Sequence, residues 1–148
     1  MIKICIIQGP NLNFLGQRDP EIYGCQNLQD ILDGLIQQFP RCKFSQHQSN
    51  DENQIIDAIQ SLIGSEVQGL IINPGGYTHT SVSIFDALSM LKIPVVEVHI
   101  SDITARESFR HHSLIHPLCY TRIIGMGVGG YAIGVERLLE YIHADQLV

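Results

Sequence analysis

The sequence predicts a doubly wound α/β domain, and three observations predict it. Short apolar, β-branched runs recur along the chain, segments with helical spacing separate them, and the connections between the two are short. Parallel strands need crossovers, so a strict alternation of strand and helix implies a parallel sheet covered on both faces. With 148 residues and 45% hydrophobic content, the chain suits one core, and we expect a single domain over residues 1–148.

The first strand is KICII, residues 3 to 7. Leu28, Ile31, Leu32, Leu35 and Ile36 then fall on one face of a helix. CKFSQHQ, residues 42 to 48, is the second strand. Ile55, Ile56, Ile59, Leu62 and Ile63 repeat the helical spacing, with Asn50 or Asp51 as the N-cap and Gly64 as the stop. GLIIN, residues 69 to 73, is the third strand, and a helix opening near Ser81 carries Val82, Phe85, Leu88 and Leu91 before Pro94. PVVEVHI, residues 94 to 100, and TRIIGM, residues 121 to 126, complete the set. Gly125, Gly127 and Gly130 match a GxGxxG dinucleotide pattern, yet no strand with a ribose-gripping acid follows them. We read these glycines as letting the last helix pack closely.

Composition narrows the function. A net charge of -6, with only nine Lys plus Arg and no basic stripe, excludes a nucleic-acid surface. No apolar run approaches the ~20 residues of a membrane span, and Lys3 before a short apolar stretch makes no signal peptide, so the expected location is the cytoplasm. Cys5, Cys25, Cys42 and Cys119 are far apart with no CxxC, and we read them as reduced structural thiols. The adjacent His111 and His112 diverge by about 100° on a helix and cannot face one ion, so no metal site is expected.

Open α/β sheets bind ligands beyond the carboxyl ends of their strands, which selects the loops after residues 7, 48, 73 and 99. The first, QGPNLNFLGQRDPEIYG, is long and glycine-bracketed, a candidate lid that carries Arg18 and Tyr23. A free phenol titrates near pH 10, and a guanidinium held against it favours the ionised form. Loop position alone leaves two readings: an activated phenol, or a solvated Arg beside a Tyr that packs the loop. The third loop, NPGGYTHTS, lets the backbone approach a ligand at Gly75 and Gly76, between Asn73 and His79. Asp86, further along, reads by itself as a solvated helical carboxylate. In VEVHIS, Glu97 and His99 project to one side of a strand, where a carboxylate orients an imidazole and suits it to general-acid work; a satisfied structural pair is the other reading. Ser101 follows, and then Arg106 and Arg110 share a helix face, able to hold a carboxylate or hydroxyls. Together these residues form acid and base machinery without a cofactor, fitted to an elimination or isomerisation next to a carbonyl.

GPNLNFLGQRDPEIYG, INPGGYTHTSVSIFDAL and EVHISDITARESFRHHS closely resemble the signature stretches of type II 3-dehydroquinate dehydratase, and GMGVGGYAIGVERLL is similar to its closing segment. The resemblance implies a flavodoxin-like fold with a five-stranded parallel sheet, order 2-1-3-4-5, and reversible dehydration of 3-dehydroquinate to 3-dehydroshikimate in the shikimate pathway or quinate catabolism, with no cofactor. It implies Tyr23 as tyrosinate base with Arg18 beside it, Asn11 at the enolate, and His99, oriented by Glu97, as the acid. It places the substrate carboxylate around Ile100 and Ser101 with Asn73 and Gly76 in the same pocket, and gives His79 and Arg110 the ring hydroxyls. Asp86 would reach in from a neighbouring subunit of a dodecamer, a tetramer of trimers. Gly76, Phe85, Asp102, Thr104 and Arg122 depart from the residues frequent in that family, and none of the departures removes an assigned catalytic group. A flavodoxin-like module for flavin or nucleotide is the alternative.

Overall fold

The β-branched runs become five parallel strands: β1 (Ile2–Gln8), β2 (Cys42–Gln48), β3 (Gly69–Asn73), β4 (Val95–His99) and β5 (Thr121–Ile124). They lie in the order β2-β1-β3-β4-β5, the flavodoxin-like topology. The structure is a computed structural model and describes residues 1–148. Strand bounds shift slightly from the sequence reading. β4 starts at Val95 rather than Pro94, which has no N–H to give a ladder, and β5 stops at Ile124 because Gly125 turns the chain at φ 73°.

The helices are α1 (Pro20–Tyr23), α2 (Leu28–Gln38), α3 (Glu52–Gln60), α4 (Val82–Ser89) and α5 (Gly130–Asp145). Asn27 and Asp30 close a reciprocal capping box at the start of α2. Asp51, not Asn50, caps α3, accepting from the Asn53 N–H at 2.8 Å. That helix ends at Gln60, so Leu62 and Ile63 belong to the turns leading to Gly64. Ser81 caps α4 through the Ile84 N–H.

Side chains alternate across the sheet, and each face builds its own core. Ile4, Ile6, Ile71, Val96 and Val98 pack against α2 and α5. Cys5, Ile7, Leu70, Ile72 and Val95 pack against α3 and α4. Gly134 lets α5 sit close, since a methyl there would already touch Ile71 and Val96 at 3.4 Å. Parity along the strands therefore sends Gln8 and Asn73 toward α5, and Glu97 and His99 toward α4. The Cys119 thiol is pushed up to about 12 by burial and stays protonated, whereas Cys25 is exposed beside the first loop. No helix is long and apolar enough to cross a membrane.

Candidate active site

A cavity of about 220 Å³ opens beyond the carboxyl ends of β1, β3 and β4. Residues 10–23 form one wall of it, with Asn11, Arg18 and Tyr23 facing inward. Asn73, Gly75 and Gly76 come from the end of β3, and His99, Ile100, Ser101, Arg106 and Arg110 from β4 and the segment after it. Gly9 holds these walls together: its N–H donates to the Asn73 carbonyl at 2.7 Å, and a Cβ there would fall 2.3 Å from the Pro74 oxygen. The loop after β2, expected at the rim, lies behind it instead. Asn50 accepts from the Asn11 N–H at 2.9 Å through its side chain and from the Tyr77 hydroxyl through its carbonyl. That bond steadies Asn11 at φ 70°, a left-handed conformation that Asn tolerates better than most residues.

Two guanidinium groups converge on the Tyr23 phenol. Arg18 Nη2 donates to its oxygen at 3.3 Å, with the guanidinium carbon 4.6 Å from the ring centroid. Arg106 Nη1 donates to the same oxygen at 3.0 Å and to Ser101 Oγ at 3.2 Å. Arg18 makes no ion pair with a carboxylate, and Arg106 approaches only Glu107, at 3.9 Å. Both positive charges are thus left to the phenol and to whatever anion enters the cavity.

Across the cavity, His99 Nε2 lies 2.5 Å from Glu97 Oε2 in a buried pair, which leaves Nδ1 without a protein partner. Glu97 is itself held, because its other oxygen accepts from Ser113 Oγ at 3.0 Å. Held at both oxygens, the buried Glu97 carboxylate fixes the orientation of the His99 ring.

Of the residues singled out in the sequence, Asn11, Arg18, Tyr23, Asn73, Gly76, His99, Ile100, Ser101 and Arg110 meet at this one cavity. Glu97 stands behind His99 rather than in the wall. His79 also lies outside the wall, its Nδ1 donating to the His112 carbonyl at 2.8 Å, and burial pulls its imidazole below the ordinary range. Asp86 is exposed on α4, away from the cavity. Arg106 and Arg110 do not share a helix. Asp102 ties down the Thr104 N–H and hydroxyl, a local bond that competes with helix formation, and Arg106 is extended between two short turns. Sequence reasoning gave Arg106 no bond to Tyr23, since the two are 83 residues apart, and gave Ser113 no role. The glycines of GMGVGG form the turn into α5 and touch no part of the cavity. No three His, Cys, Asp or Glu side chains are grouped to hold a metal ion.

Comparison with known proteins agrees with this geometry. The family model for dehydroquinase class II matches residues 2–139. A 3-dehydroquinate dehydratase of Acaryochloris marina is 44% identical over 145 residues, covering 97% of each chain. One from Gloeothece citriformis is 48% identical over 142 residues, covering 95% of this chain and 93% of its own. The crystal structure of a type II dehydroquinase from Butyrivibrio crossotus superposes with a TM-score of 0.89 at 42% identity, over 93% of this chain and 97% of that one. On family match, relatives and fold alike, the chain belongs to the class II dehydroquinases.

Proposed function

We propose that this chain catalyses the reversible dehydration of 3-dehydroquinate to 3-dehydroshikimate, with Tyr23 as the base and His99 as the acid. The observation that carries the reading is a phenol under two guanidinium donors sharing one small cavity with a buried carboxylate-imidazole pair.

In the forward direction the Tyr23 phenolate takes the proton from C2, next to the C3 ketone. Arg18 and Arg106 donate to its oxygen, and charged acceptors bind such donors more strongly than neutral ones. The electron pair moves onto the C3 oxygen as an enolate, which the Asn11 region faces. The enolate then collapses: a C1–C2 double bond forms, the C1–O bond breaks, and the hydroxyl leaves as water with the proton from His99 Nδ1. Glu97 keeps the imidazole oriented throughout. Tyr23 ends protonated and His99 neutral, and proton exchange with solvent resets both. The acid and base account for every proton moved, with no cofactor in the scheme.

The substrate carboxylate fits Ser101 and the backbone at Ile100, beside the positive charge of Arg106, and Asn73 and Gly76 line the same side. Arg110 and His79 take the ring hydroxyls; with Nδ1 donating to the His112 carbonyl, Nε2 of His79 is the acceptor. Asp86 serves a partner subunit. The exposed Val82 and Met90 beside it on α4 give that contact an apolar face, and the assembly is a homo-oligomer, a dodecamer of four trimers. The location is cytoplasmic.

The test is an ultraviolet assay for the conjugated enone, run on purified protein with 3-dehydroquinate in the presence and absence of a chelator. Absorbance rising equally in both supports the reading. No rise in either overturns it, and a rise abolished by the chelator overturns the metal-free mechanism.

A further inference from the structure

Asn73 stands at the cavity end of a buried chain of hydrogen bonds. Its Oδ1 accepts from the Gly75 N–H at 3.2 Å, and its Nδ2 donates to the Tyr131 hydroxyl at 3.1 Å. Tyr131 donates to Gln8 Oε1 at 2.7 Å. Gln8 Nε2 then donates to Gln46 Oε1, and Gln46 Nε2 to the Leu28 carbonyl, through looser links of 3.4 Å each.

The two ends of this chain are backbone groups with one role apiece. The Gly75 N–H can only donate, and the Leu28 carbonyl can only accept. The sense of every bond between them follows, because turning over one amide would set oxygen against oxygen or N–H against N–H. Tyr131 and Gln8 are both 0% exposed, so water cannot replace a lost partner. Burial also pushes the Tyr131 phenol up to about 12, so it keeps the proton it gives to Gln8.

We propose that Tyr131 and Gln8 are positioning residues that lock Asn73 as a hydrogen-bond donor to the substrate. With Oδ1 and one N–H engaged, the Asn73 amide presents its second N–H to the cavity. A donor there suits an oxygen that carries or gains negative charge, such as the carboxylate or the departing hydroxyl of a keto acid. A flipped amide would offer a carbonyl oxygen to the same atom and repel it. The sequence gives no hint of this link, since Tyr131 lies 58 residues from Asn73 and 123 from Gln8. The inference deepens the proposed reaction and rests on that reading of the cavity.

The experiment is a double-mutant cycle, with an NMR arm that needs no turnover. Tyr131→Phe keeps the ring and removes only the hydroxyl. It should lower kcat/KM by about tenfold in the wild-type background and by less than about twofold in the Asn73→Ala background. An equal loss in both backgrounds would mean that the hydroxyl acts on the fold at large, and the proposal falls. In the free protein, 15N-edited spectra should show the Asn73 side-chain amide shifting and exchanging faster in Tyr131→Phe. Gln8→Met should do the same, and it stands in if the first variant does not fold. An Asn73 amide unchanged in the folded variants overturns the relay whatever the activity. A wild-type protein that does not turn over 3-dehydroquinate, but whose amide responds to both changes, overturns the reaction and supports the relay.

Discussion

The base and the acid of this cavity are held in opposite ways. Tyr23 ends a four-residue helix on a mostly exposed loop, and its hydroxyl is bonded only by Arg18 and Arg106. His99 ends a buried central strand, pinned through Glu97 to Ser113. One group is carried on residues 16–24, a stretch with no buried side chain and with Asp19 at positive φ, beyond the core-anchored Leu12 and Leu15. The other is set before substrate arrives. The difference follows from the work each does. An acid beside a leaving group must be held in one orientation, which a closed strand position provides. A base facing a carbon acid must let a whole substrate pass before it closes, which a loop provides.

Breaking the base should have the largest effect. Tyr23→Phe should cut turnover by more than about 10³-fold while substrate binding, followed by calorimetry, changes only a few-fold. Near-normal turnover would remove the phenol from the chemistry and leave the loop a cover only. Next comes the acid side. Glu97→Gln keeps a hydrogen bond to His99 but removes the negative charge beside the ring, and kcat should fall about 10²-fold with little change in KM. A loss confined to KM would instead make the pair a binding element.

The two arginines sharpen the contrast within the loop itself. Arg106→Ala should lower kcat by about tenfold although Arg106 is not on the loop, because it supplies the shorter of the two bonds to the phenol. Arg18→Ala should act at a similar size, and the double variant should fall well below either single one in the enone assay. If Arg106→Ala raised KM alone, its part would be limited to the carboxylate beside Ser101.

Both halves of the site were partly legible in the sequence, the strand-borne one most directly, and the first loop through its Arg18 and Tyr23, which the structure brings together. Glu97 and His99 two apart in an apolar run, and Asn73 before paired glycines, need only strand geometry to be placed. The sheet order came through the family resemblance, and helix alternation alone left it open. What stayed hidden depends on contacts between distant segments. Arg106 looked like one of a helical pair, and only the irregular turn around Asp102 turns it toward Tyr23. Ser113 was an ordinary serine until the fold set it beneath Glu97. Tyr131 sat in a glycine-rich stretch that invited a nucleotide reading, whereas those glycines serve the turn into α5 and its packing on the sheet.

The smallest expected effect tests whether the rigid side was built for function at some expense to stability. His79 is held by the His112 carbonyl, with His99, Arg110 and Glu97 as its nearest charged neighbours, and burial lowers its proton affinity most. The folded chain therefore resists protonation at His79 more than the unfolded chain does. Above the ordinary imidazole range, near pH 6.5, both states are neutral there and His79 contributes no pH dependence. As pH falls through that range, the unfolded state takes up the proton first and stability declines; the decline stops below the lowered value of the folded state. Replacing His79 by Gln removes this component, so thermal midpoints measured between about pH 7.5 and 5 should fall less steeply in His79→Gln than in the wild type. Parallel curves would mean that the site side chain titrates as it does in the unfolded chain, and that the rim holds His79 without any opposition between its placement and its charge.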